Sequence, residues 1–149
     1  MNLDELRRRL QAAIDAFNAR DSVLLNRDVS EWAMAHRLAV YLESLCEEGW
    51  SVDCEYNRAG RSAVRPKHNA VGDNIRPDIS VHHRGKLAKK HNLLVVEIKK
   101  LAEADDPLRV QELTSPPRDS RRYQYQYGVA LSFLPTVQQL WCADGRRIP

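Results

Sequence analysis

Glu97 and Lys99 stand at the end of the apolar run Leu93-Leu94-Val95-Val96. Side chains alternate along a strand, so both point to one face. Asp78 follows Pro77 and opens a second apolar run, Ile79 to His83. If the two runs form a hairpin folded about a point between Leu87 and Ala88, Asp78 falls opposite Glu97, with Cβ atoms only ~5 Å apart. Like charges placed directly opposite destabilise a sheet, and the arrangement makes sense if a divalent cation joins them. Hard carboxylate oxygens suit Mg²⁺, with Mn²⁺ as a substitute, which makes Asp78 and Glu97 the expected metal ligands. Lys99 can then orient a water or stabilise the charge that builds on a phosphorane-like transition state. Phosphodiester hydrolysis is the chemistry this set suggests.

The elements that must position these residues are legible as periodic patterns. Leu3, Leu6, Leu10, Ala13, Ile14 and Phe17 recur at helical spacing. A second helix opens at Asp28 or Ser30, where Asp28 and Glu31 have capping-box spacing, and runs through Ala35, Leu38 and Leu42 to a stop at Gly49. Trp50 to Tyr56 alternates as a half-exposed strand. Residues 57 to 76 have no period and form a loop long enough to demand a reason. The strands Ile79 to His83 and Leu93 to Ile98 follow, joined by the basic segment Arg84 to His91. Asp105-Asp106-Pro107 predicts a short helical turn, and Pro116-Pro117 opens a helix through Asp119, Arg121 and Gln124 that Gly128 ends. Two last strands, Val129 to Leu134 and Val137 to Cys142, flank Pro135. The 149 residues, 43% of them apolar, suffice for one core. The expectation is a single α/β domain over 1–149, a mixed sheet of about five strands flanked by helices, with residues 1–27 as an N-terminal helical extension packed on the core.

Pro77-Asp78 at the start of one strand, an apolar strand ending in Glu97-Ile98-Lys99, and a preceding helix with an acidic start together resemble the PD-(D/E)XK nuclease superfamily, from about residue 28 to residue 142. The resemblance implies a restriction-endonuclease-like core, Asp78 and Glu97 as metal ligands, and Lys99 as the catalytic lysine. Many members carry an acidic residue on the helix before the first strand, and Glu31 fits that place; its alternative role is the capping box. Members often add a polar residue from the helix after the catalytic strand, which here means Gln124 or Gln126. Tyr123, Tyr125 and Tyr127 nearby read as packing residues.

Charge is unevenly spread. Residues 1–57 carry −5, residues 58–90 carry +7, and residues 91–149 carry +1. Such asymmetry suits a polyanion-binding surface. Arg58, Arg61, Arg65, Lys67 and Arg76 in the long loop, with Arg84, Lys86, Lys89 and Lys90 in the hairpin connection, are the expected contacts to a phosphate backbone. The absence of helix-turn-helix or zinc-finger patterns argues against base readout by an accessory module.

Cys46, Cys54 and Cys142 form no C-x-x-C and no disulfide framework. His36, His68, His82, His83 and His91 lack the spaced partners of a zinc or HNH site, and His82 and His83 face opposite sides of a strand. No run reaches the ~18 apolar residues of a membrane span. The expected protein is a cytoplasmic Mg²⁺-dependent endonuclease, with DNA the expected substrate and RNA the alternative. It would work as a homodimer where both strands are cut, because one domain supplies one site. The alternative is a catalytically silent nuclease-fold module that binds nucleic acid or a protein partner.

Overall fold

In the computed structural model, the residues described are 1–26, 29–57, 75–102, 106–117 and 123–149. Helix α1 (Leu3–Asp21) begins at Asn2, whose side chain accepts a hydrogen bond from the Glu5 N–H at 2.9 Å. Asp4 and Glu5 in its first turn and Arg20 in its last complement the helix dipole. Its apolar stripe, Leu6, Leu10, Ala13, Ile14 and Phe17, is wholly buried. Helix α2 (Glu31–Leu45) packs beside it through Met34, Ala35, Leu38, Ala39 and Leu42. The helix ends earlier than its sequence pattern suggests: Cys46 is already extended, and Gly49, at φ +94°, shapes the turn into the first strand.

Among the described residues six strands follow: β1 (Ser51–Cys54), β2 (Ile79–His82), β3 (Asn92–Leu101), β4 (Tyr127–Leu134), β5 (Gln138–Ala143) and β6 (Arg146–Ile148). They form one sheet in sequence order, antiparallel at every pairing except β3 with β4. The sheet is therefore mixed, and the class is α/β. β6 raises the strand number above the expected five; it pairs with β5 across a turn in which Asp144 and Gly145 both adopt positive φ.

The parallel pair needs a crossover, and helix α3 (Asp106–Thr114) supplies it. Asp105-Asp106-Pro107 gave its start, but as a short turn only; of the separate helix expected after Pro116-Pro117, residues 118–122 lie outside the described residues. Pro107 sits at its first turn, Val110 and Leu113 bury its inner face, and Pro116 and Pro117 end it, because the residue before a proline avoids helical backbone. Residues 123–125 have no regular secondary structure, and Gly128 lies inside β4 rather than at a helix end. A Cβ at Gly128 would lie 2.4 Å from Val110 Cγ1, so glycine here lets α3 sit close against the sheet.

Helices α1 and α2 cover one face of the sheet and α3 the other. Leu94, Val96, Ile98, Val129, Leu131 and Phe133 face α1 and α2 in the main core, where the Phe17 and Phe133 rings lie 5.0 Å apart. Such a pair adds roughly 0.5–1.5 kcal/mol beyond its area burial. Val95 joins Ile75, Leu113, Tyr123 and Tyr125 on the α3 side, and Val110, Ala130 and Cys142 form a smaller cluster there. The N-terminal helix thus contributes to the main core itself. No helix among the described residues is long and apolar enough to cross a membrane.

Candidate active site

Strand β3 is buried without interruption from Asn92 to Ile98, so Glu97 places a carboxylate in the central strand of the sheet, where only 9% of the residue is exposed. Removing an ionised carboxylate from water is costly unless other groups compensate. The register shows what surrounds it. Ile79 lies opposite Val96, Ser80 opposite Val95 and Val81 opposite Leu94 before a bulge shifts His82 onto Asn92. Continued one residue beyond Ile79, the same register sets Asp78 opposite Glu97, about the turn centre inferred from the sequence. By alternation, Asp78, Glu97 and Lys99 belong to the face covered by α3.

Asp78 Oδ2 accepts a hydrogen bond from the Ile98 N–H at 2.7 Å. Burial pushes the Asp78 carboxyl above its ordinary value; the Ile98 N–H, Arg109 and Lys99 oppose this rise, and Glu31 adds to it. Glu31, the first residue of α2, turns its carboxylate toward β3. Its Oε1 accepts from the Lys100 N–H at 3.1 Å, and its Oε2 lies 3.5 Å from Lys99 Nζ. Asp28, the other half of the expected box, lies outside the described residues. Asp78, Glu97, Lys99 and Glu31 therefore gather at the C-terminal end of β3.

Two further residues at this end escaped the sequence reading. Arg109 on α3 brings its Nε to 3.3 Å from Glu97 Oε1, and its Nη2 donates to the Arg76 carbonyl at 2.9 Å. One guanidinium thus ties α3 to β3 and to the segment that leads into β2. The signal for it was the apolar pair Val110 and Leu113 after Asp106-Pro107, which sets α3 directly after β3. Ser132 on β4 is buried and pairs in register with Lys99.

The structure does not bring Gln124 to the carboxylates. Tyr127 pairs with Leu94, so the chain before β4 lies at the N-terminal end of β3, away from Glu97. Gln124 is buried there, and its Nε2 donates to the Thr114 carbonyl at 2.7 Å and to Asp144 Oδ1 at 3.0 Å. Gln126 donates to the Lys90 carbonyl at the same end. Tyr123 and Tyr125 are buried, and the Tyr125 hydroxyl lies 2.8 Å from Ser80 Oγ, as expected of packing residues.

The basic hairpin connection is also displaced from the site. Arg84, Lys86, Lys89 and Lys90 lie before Asn92, five strand residues or roughly 17 Å from Glu97. Arg84 binds both oxygens of Asp53, its Nε at 2.7 Å, and Lys89 Nζ lies 2.6 Å from Asp144 Oδ1. Burial alone would raise the Asp53 carboxyl, yet the hydrogen bonds from Arg84 and His82 hold it well below the usual carboxylate range. Lys86 and Lys90 are exposed. Arg76, by contrast, belongs to the carboxylate end; it is exposed, with Nη1 3.9 Å from Glu55 Oε2. Arg58, Arg61, Arg65, Lys67 and His68 lie outside the described residues.

The histidines pair elsewhere. His82 Nε2 lies 2.9 Å from Asp53 Oδ2, and His83 stacks on Trp50 with its Nδ1 3.1 Å from that of His91. Among the described residues, no group of three or more His, Cys, Asp or Glu side chains could hold a metal ion. What the site offers is two hard oxygen donors, Asp78 just before β2 and Glu97 on β3. That set suits Mg²⁺, which takes one or two carboxylates and completes its shell with water and substrate phosphate. The cysteines are free.

No protein-family model, curated protein or solved structure matches the chain.

Proposed function

We propose that the chain is a Mg²⁺-dependent nuclease of the PD-(D/E)XK type, with a restriction-endonuclease-like core, that hydrolyses the phosphodiester bonds of nucleic acid, with DNA the first substrate to test. The observation that carries this reading is the β2–β3 register, Ile79 opposite Val96, which continued by one residue would bring Asp78 to Glu97, with Lys99 one alternation further on. The mixed sheet with helices on both faces is compatible with such a core.

Asp78 and Glu97 would hold the cation, which when bound supplies Lewis-acid polarisation of the phosphoryl oxygens. The residues of the chain do the rest. The Ile98 N–H fixes the Asp78 carboxylate in orientation. Glu31 steers the Lys99 ammonium from the opposite helix layer. Lys99 is then poised to orient the attacking water and to stabilise negative charge on the phosphorus oxygens as the new P–O bond forms and the ester bond breaks. Arg109 and Arg76 contribute positive charge where the phosphate backbone would approach.

Arg109 also favours a second reading. Its guanidinium at Glu97 can neutralise that carboxylate without a metal, as a catalytically silent module that binds nucleic acid or a protein partner would require. One assay separates the two: incubation with supercoiled, linear, single-stranded, branched and RNA substrates in Mg²⁺, Mn²⁺ or EDTA. Metal-dependent cleavage that Glu97→Gln abolishes supports the nuclease. Intact substrates throughout would leave the silent module.

A further inference from the structure

We infer that His83 and His91 form a two-histidine chelate for a first-row divalent cation of the zinc class, which clips the β2–β3 connection at the end of the sheet remote from the carboxylates.

The two Nδ1 atoms lie 3.1 Å apart, with the ring planes at 73°. Zinc binds an imidazole nitrogen at about 2.0–2.1 Å, so two such ligands on one ion stand about 2.9–3.4 Å apart, from right-angled to tetrahedral geometry. The pair already has the bite of a chelate. Its geometry is held by the backbone and by a neighbouring ring. The His83 N–H donates to the His91 carbonyl at 2.8 Å, and the His91 N–H donates to the Ala88 carbonyl at 2.8 Å. Trp50 stacks on the His83 ring, with centroids 4.0 Å apart and planes 22° from parallel. Both histidines are half-buried, so an ion can reach them from solvent. His82 is committed to Asp53 through its Nε2 and stays outside the pair.

The donor atoms select the ion. Two imidazoles that meet through their Nδ1 atoms share one proton, with one Nδ1–H donating and the other Nδ1 accepting. Burial, His83, Lys90 and Lys86 all make His91 harder to protonate, which keeps its ring neutral at neutral pH. When an ion binds, the shared proton leaves for solvent while the Nε2 of the same ring takes one up, so both Nδ1 lone pairs meet the ion and no proton is lost overall. Imidazole suits Zn²⁺, Cu²⁺ and Ni²⁺, whereas Mg²⁺ takes oxygen, so this pair and the carboxylate site select different ions. Water fills the remaining positions.

The full chain carrying Cys54→Ser, so that the exposed thiol does not compete, is titrated with Ni²⁺ by tryptophan fluorescence and with Zn²⁺ by isothermal titration. One equivalent should bind, quench the Trp50 stacked on His83, and raise the melting temperature through mass action. His83→Gln or His91→Gln should each weaken binding about 100-fold, because the second ligand then no longer binds intramolecularly. His36→Gln, which replaces an exposed histidine of α2, should leave the affinity as it was. Melts in EDTA check that each variant is folded. A second measurement needs no histidine replacement: in the ¹⁵N NMR spectrum, one equivalent of Zn²⁺ should shift the Nδ1 resonances of His83 and His91 together and leave the His82 ring unmoved. Binding that survives both replacements, or His83 and His91 resonances that zinc leaves in place, would overturn the inference and make the pair a plain hydrogen-bonded contact.

Discussion

The Asp78 carboxylate accepts the N–H of Ile98 at 2.7 Å, so the residue just before β2 grips the strand that carries Glu97 and Lys99. This bond aligns one carboxylate against the other strand at the cost of burying it.

That cost predicts a stability effect with a defined sign. A carboxyl whose folded-state pKa is raised is bound more favourably in its protonated form. Its contribution is fully present below the unfolded value of about 3.9 and is lost as pH rises through the folded one. Asp78→Asn, which keeps an oxygen to accept the Ile98 N–H, should therefore stabilise the apo protein at neutral pH by about 0.5–2 kcal/mol, and the gain should vanish in acid. Thermal melts in EDTA across pH measure it. Added Mg²⁺ should raise the wild-type melting temperature through mass action and the mutant's much less. A mutant that melts lower at neutral pH, beside a wild type indifferent to Mg²⁺, would make Asp78 a structural residue.

Lys99→Ala should reduce cleavage roughly 100- to 1,000-fold, the scale of losing one positioned charge at a transition state. Its contact with Glu31 is half-exposed on both sides, so stability should change by less than about 1 kcal/mol. Isothermal titration should find Mg²⁺ affinity little altered. Near-normal turnover in this variant removes Lys99 from the mechanism.

The two basic clusters should behave differently. Replacing Arg61, Arg65 and Lys67 together with Ala should weaken DNA binding and flatten the dependence of log affinity on log salt, because phosphate contacts release counterions. Replacing Arg84, Lys86, Lys89 and Lys90 together should change little, since that group lies at the other end of β3 and Arg84 and Lys89 are held by Asp53 and Asp144. Binding isotherms at several salt concentrations compare them. A larger loss from the hairpin set would move the DNA path to the opposite end of the sheet.

Gly128→Ala tests the seating of α3. The new methyl meets Val110 Cγ1 at 2.4 Å and Thr114 Cγ2 at 3.0 Å, and over-packing of this kind costs about 1–3 kcal/mol. Because α3 carries Arg109, cleavage should fall as well. Urea denaturation with an unchanged midpoint would mean that the helix shifts freely and that Arg109 is not held in place.

What the sequence determined by itself was local and periodic. The alternation in Leu93 to Lys99, the matching run after Pro77 and the turn residues between them were enough to set Ile79 against Val96, because a one-residue slip would turn every buried side chain of the hairpin to the wrong face. The helical stripes of α1 and α2 were legible for the same reason. Asp105-Asp106-Pro107 marked the start of α3 but only as a short turn, because nine residues holding two buried apolar side chains carry too little period to fix its length. Only the tertiary structure could decide what depends on contacts far apart in the chain. The crossover through α3 puts Arg109 over Glu97 and leaves Gln124 at the other end of β3, and the pairing of β1 with β2 hands Arg84 to Asp53. Such neighbours follow from how whole layers pack to bury their apolar faces, and no spacing within a single segment encodes them.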